Sequence, residues 1–196
     1  MYLYLLPLPS TGSKSPTLSK ETTVARPTSD GGKEVTSAIF EDPAEWLSLA
    51  HRGDVILFPP QYYLLNLLSE IFSGAKEGSS ANPEVIQQQR RALDNFLSQN
   101  QLEEPTADKR ASLSGRIAWR DKVMSPMPMG LLDDGRVVLA LDSPGPELKE
   151  ASRDGDHDRV VVLKFTKGIP RELGVMKRSE ATSRLRARQD VKLFKM

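Results

Sequence analysis

The densest set of potential metal ligands in this chain is Asp154-x-Asp156-x-Asp158, three carboxylates at the alternating spacing with which a calcium loop begins. Such a loop needs glycine at its sixth position and a bidentate Glu at its twelfth. Those positions hold Arg159 and Phe165, so the run reads as a solvated turn. The only histidines, His51 and His157, lie in different segments, which leaves little material for a histidine metal site or a Ser-His-Asp triad. His51 beside Arg52-Gly53 suits the negative end of a helix. There is no cysteine, which removes thiolate chemistry and disulfides together. Neither a Gly-x-Ser-x-Gly nucleophile elbow nor a Gly-x4-Gly-Lys-Ser/Thr phosphate loop occurs, and Gly31-Gly32 reads as a plain loop. The basic run Arg184-Leu-Arg-Ala-Arg188, with Lys192 and Lys195, could touch RNA or phosphate by charge. No aromatic platform accompanies it, and a solvated terminus is the simpler reading.

The elements that would position chemistry are most legible between Asp30 and Phe72. Glu34 to Phe40 is strand-like, with Val35, Ile39 and Phe40 as its apolar residues. Asp42 then offers a cap, Pro43 sits where a helix needs no N–H, and Glu45 completes a capping box. The spacing predicts a helix from Pro43 that buries Trp46, Leu47 and Ala50 and ends at His51-Arg52-Gly53-Asp54. Val55 to Phe58 is an extended apolar run closed by Pro59-Pro60, and a second helix opens at about Gln61 with Leu64, Leu65, Leu68, Ile71 and Phe72 on one side. Asn82-Pro83 starts a third helix, to about Ser98, with a narrow stripe of Ile86, Leu93, Phe96 and Leu97. From Ser114 to about Arg178 the pattern turns to strands, with turns at Asp133-Asp134-Gly135 and Ser143 to Pro146 and strands at Val137 to Leu141 and Val160 to Phe165.

These residues carry a resemblance. The acidic-Pro-x-Glu helix start, the apolar run and Phe58-Pro-Pro-Gln-Tyr-Tyr-x-Leu65 look like the C-terminal half of a Nudix hydrolase domain, in the branch of coenzyme A and acyl-coenzyme A diphosphatases. The apolar opening from Met1 to Leu8 is similar to a central strand of that fold. Trp119 to Val123, Asp134 to Asp142, Pro144 to Leu148 and Arg159 to Phe165 resemble the C-terminal extension of fungal members. The resemblance implies an α+β protein: a partial Nudix-like mixed sheet with flanking helices over residues 1–73, and a small antiparallel β extension over 114–178. Residues 10–33 would be a mobile loop, 74–113 a linker with one amphipathic helix, and 179–196 a basic tail. It also places the segment after Pro59-Pro60 near the substrate, so that Gln61 and Tyr62 would contact a nucleotide or pantetheine part. Read from the residues alone, Gln61 completes a helical turn and Tyr63 packs beneath it.

The chain departs from the family where the chemistry is. A Nudix enzyme holds divalent metal on the carboxylates of Gly-x5-Glu-x7-Arg-Glu-x-x-Glu-Glu-x-Gly. The only Arg-Glu pair here, Arg171-Glu172, is followed by Leu-Gly-Val. Phosphoanhydride hydrolysis needs that metal to neutralise oxygens and activate water. A complete family member is expected to use Mg or Mn, while this chain is expected to bind no cofactor and to be inactive alone. By the same resemblance Glu41 and Glu45 could supply a late carboxylate to a Nudix metal site, but Glu45 is already accounted for as a capping residue. The box would lie ahead of Met1, so the sequence reads as a Nudix protein cut at its N-terminal side.

Composition fits a partly folded chain: at 38% hydrophobic a core is affordable in volume, but 14 Pro and 13 Gly among 196 residues imply much irregular backbone. A net charge of +1 gives no general drive toward nucleic acid or membrane. The run from Met1 to Leu8 is too short to span a bilayer and lacks a basic leader. The cytoplasm is therefore the default compartment, with peroxisome and mitochondrion left open. Three functions follow as expectations. The first is the family activity, metal-dependent hydrolysis of nucleoside diphosphate-linked compounds such as coenzyme A esters, belonging to a complete protein. The second is a non-catalytic protein-interaction module whose incomplete sheet docks on a partner or on itself through exposed edges. The third is weak nucleic-acid binding through the basic tail.

Overall fold

The structure is a computed structural model, and it describes residues 41–72, 83–99, 117–151 and 153–185. Its class is α+β. Helices α1 (Pro43–Arg52), α2 (Pro59–Phe72) and α3 (Pro83–Ser98) precede a four-stranded antiparallel meander. The strands are β1 (Met127–Leu131), β2 (Val137–Leu141), β3 (Asp156–Thr166) and β4 (Ile169–Lys177), paired in chain order. A short helix α4 (Arg178–Ser183) follows, and single 3-10 turns occupy Trp119–Asp121 and Pro146–Leu148.

The sheet is buried on both faces, which is why β2 reads as an unbroken apolar run rather than an alternating one. On one face Val137, Leu139, Leu141, Val161, Leu163 and Leu173 meet Leu57, Tyr62, Tyr63 and Leu67 of the helical segment, together with Trp119. On the other face Val138, Val160 and Val162 meet Leu132 and Ala181, with Met129, Met176 and Leu185 at the margin. Each fully buried Val or Leu contributes about 1.5–3 kcal/mol relative to exposure. Helices α1 and α2 therefore share one core with the C-terminal sheet. The boundary expected at residue 73 does not separate two cores among the described residues.

Three local expectations need correction. Asp42 has the extended backbone of an N-cap, but its side chain caps nothing, and Glu45 turns two helical turns forward to Arg52 at 3.1 Å instead of closing a capping box. Trp46, Leu47 and Ala50 are only half-buried, since α1 lies at the edge of the core. Helix α2 opens at Pro59 rather than at about Gln61, because two prolines already have helical φ and no N–H to satisfy. The run Val55 to Phe58 is extended but belongs to no strand. Gly53 ends α1 in the left-handed conformation, φ 84°, and its N–H donates back to the carbonyl of Ala50 at 3.1 Å. The expected strands at Met1 to Leu8 and Glu34 to Phe40, the loop 10–33, the linker 74–82 and nearly all of 99–113 and 186–196 lie outside the described residues.

Strand β4 enters through Lys167-Gly168, both at positive φ (53° and 78°), the two-residue turn whose twist matches a hairpin. Between the pairs Lys164↔Arg171 and Val162↔Gly174, β4 carries one more residue than β3. Glu172 takes up that extra residue at φ 50°, and its carboxylate meets Lys164 at 2.9 Å. The Arg171-Glu172 pair is thus a β-bulge in an antiparallel hairpin, not part of a carboxylate-bearing helix.

Candidate functional site

The strongest concentration of buried polar chemistry lies where α2 crosses the start of β3. Asp156 stands opposite Leu141, where the β2–β3 register shifts, and is 2% exposed. The shift brings the chain so close that a Cβ on Gly155 would stand 1.9 Å from the Leu141 carbonyl oxygen, so only glycine fits. One Asp156 oxygen accepts the backbone N–H of Asp158 at 2.9 Å. The other accepts the hydroxyl of Tyr63, which is fully buried on α2.

Aromatic rings and one lysine close the cluster. Trp119 lies between Phe96 of α3, with ring centroids 5.0 Å apart, and Tyr63, at 6.3 Å. The Lys122 ammonium sits 4.6 Å from the Trp119 ring centroid, a cation–π contact from a side chain almost out of water. Burial lowers the Lys122 pKa, while the carboxylates of Asp156, Asp158 and Asp154 pull it back up. Burial raises the Tyr63 hydroxyl pKa, and the charge and hydrogen bond of Asp156 raise it further, so Tyr63 is held protonated as a donor. The buried Trp119 Nε1 has no hydrogen-bond partner among the described residues.

This arrangement is a lock rather than a reaction centre. Its donor and acceptor are shut away from solvent, and Tyr63 is the opposite of an activated phenolate. A second polar group lies close by on the same strand ends. His157 Nε2 is 2.9 Å from Asp154, and Arg178 donates to Asp142 at 2.7 Å. Burial would raise the Asp142 pKa, but the hydrogen bond and charge of Arg178, helped by His157 and Ser143, outweigh it and the net shift is downward. The three aspartates thus divide: Asp154 pairs with His157, Asp156 turns inward to Tyr63, and Asp158 is exposed. The solvated turn expected there is instead the entry to β3, and its middle carboxylate is core.

The residues expected to touch substrate are neighbours in sequence with different surroundings. Gln61 is exposed, and its side-chain oxygen accepts the Phe58 N–H at 3.0 Å, capping the first turn of α2. Tyr62 is 4% exposed, and its hydroxyl lies 3.2 Å from His51 Nε2, with the two rings edge to face. Glu41 is exposed and Glu45 is engaged by Arg52. Among the described residues no three His, Asp or Glu side chains converge where a metal ion could sit. Arg184, the first residue of the basic run, is 3.4 Å from Glu180 and 3.7 Å from Asp134.

Sequence reasoning did not find Asp156, Lys122 or Trp119 as a group. The one local signal was Gly155 ahead of an aspartate that opens an apolar strand, where a glycine marks a close backbone approach. Comparison with known proteins adds no relative: no family model matches the sequence, and neither a curated protein nor a solved structure matches it significantly. Among the described residues no helix is long and apolar enough to cross a membrane.

Proposed function

We propose that this chain is the C-terminal part of a Nudix-type hydrolase of the coenzyme A diphosphatase-like branch, and that it supplies scaffold rather than catalytic carboxylates. The observation that carries this reading is the Tyr63–Asp156 lock. It ties the segment Phe58-Pro-Pro-Gln-Tyr-Tyr, on which the resemblance chiefly rests, to the sheet that resembles the family's C-terminal extension. A piece whose two resembling parts are built into one core has a reason to keep both. On this reading the metal-binding box and its Mg or Mn belong to residues of a longer protein. The ligand is a nucleoside diphosphate-linked compound such as a coenzyme A ester, and the α1–α2 corner stands beside it.

The test uses the protein as isolated from its source. Its intact mass is measured, and it is assayed for metal-dependent release of phosphopantetheine from coenzyme A. The expected result is a mass above 21.8 kDa with cleavage that needs Mg or Mn. A mass of 21.8 kDa without cleavage would overturn the proposal and leave a non-catalytic interaction module as the reading to pursue.

A further inference from the structure

We draw no further inference here: the strongest candidate, the outward-facing apolar pair Ile56 and Phe58 on the extended segment between α1 and α2, is 46% and 58% exposed, but nothing in the structure shows what covers it.

Discussion

Tyr63 donates its hydroxyl to Asp156 across 93 residues of sequence, with both side chains buried, and so fastens α2 to the first residue of β3. Removing either partner leaves the other without its bond in a place water does not reach. Y63F is expected to cost about 1–3 kcal/mol, the penalty for an unsatisfied buried group, with D156A at or above the upper end because the site also loses packing. The double variant should cost clearly less than the sum of the two. Urea unfolding of the four proteins measures this, and strict additivity would show that the contact is not energetically made.

The distance spanned by that bond explains much of what could and could not be read in advance. Helices α1, α2 and α3 were legible because their signals are local: Asp42-Pro43, Pro59-Pro60 and Asn82-Pro83 each mark a start within two residues. Strands β2 and β3 announced themselves by runs of Val and Leu. Strand β1, Met-Pro-Met-Gly-Leu, has no β-branched residue and holds the two residues least suited to a strand. In β4, Pro170 and Gly174 interrupt the pattern, and its turn is Lys-Gly rather than the familiar Asn-Gly. Helix α4 is polar apart from Ala181, whose burial against Val160 and Val162 has no local trace. The lock itself joins residues that no sequence window contains together, and Asp156 looked like one of three equivalent solvated carboxylates.

Trp119 offers a test of its ring against its polar edge. The ring fills the space between Phe96 and Tyr63, whereas its Nε1–H is buried without a partner among the described residues. W119A should therefore cost about 3–5 kcal/mol, as expected for a large aromatic truncated in a core. W119F keeps a stacking ring and removes the orphaned donor, so its cost should be well under half of that. Thermal unfolding of both variants decides the matter. Equal losses would mean that the indole N–H is satisfied in solution.

Gly155 and Gly168 should respond very differently to the same methyl group. At Gly155 the new Cβ would stand 1.9 Å from a backbone oxygen of Leu141, which cannot swing aside as a side chain can. At Gly168 nothing lies within 4 Å, and only the left-handed φ of 78° resists substitution. G155A is expected to cost about 3 kcal/mol or more through forced backbone shifts, and G168A about 1–2 kcal/mol through conformation alone. If G155A unfolds at the same denaturant concentration as the unmodified chain, the register shift at Leu141 is not as described.

Asp134 sets the acid behaviour of the β1–β2 turn. The side chain of Arg136 donates to it at 2.9 Å and the Arg136 backbone N–H at 3.0 Å, holding its carboxyl down at about 2, below its ordinary 3.8. A depressed folded-state pKa means stability that is fully present above the unfolded value and is lost as pH falls through the folded one. The window therefore runs from near pH 4 down to about 2. Titration followed by carboxyl carbon NMR should show Asp134 protonating at the bottom of that window, and R136Q should move its midpoint up toward 3.8. D134N should remove the corresponding part of the acid limb of unfolding. A midpoint already at the ordinary value in the unmodified protein would contradict the geometry.

Gln61 separates a structural role from a substrate contact. Its side-chain oxygen takes the Phe58 N–H at 3.0 Å and so satisfies one of the donors that a helix start leaves open. Q61A should cost about 0.5–2 kcal/mol of stability, the usual range for losing a cap, whether or not a ligand is present. Tyr62 should behave likewise: Y62F loses only the bond to His51, 3.2 Å away, for about 1 kcal/mol. Calorimetry with coenzyme A, the ligand class proposed above, and the native protein is the discriminating measurement. If Q61A changes stability but leaves Kd unchanged, Gln61 is a cap and the substrate contact expected of it is withdrawn. If Kd rises tenfold or more at unchanged stability, the exposed amide faces the ligand and the α1–α2 corner is part of the binding site.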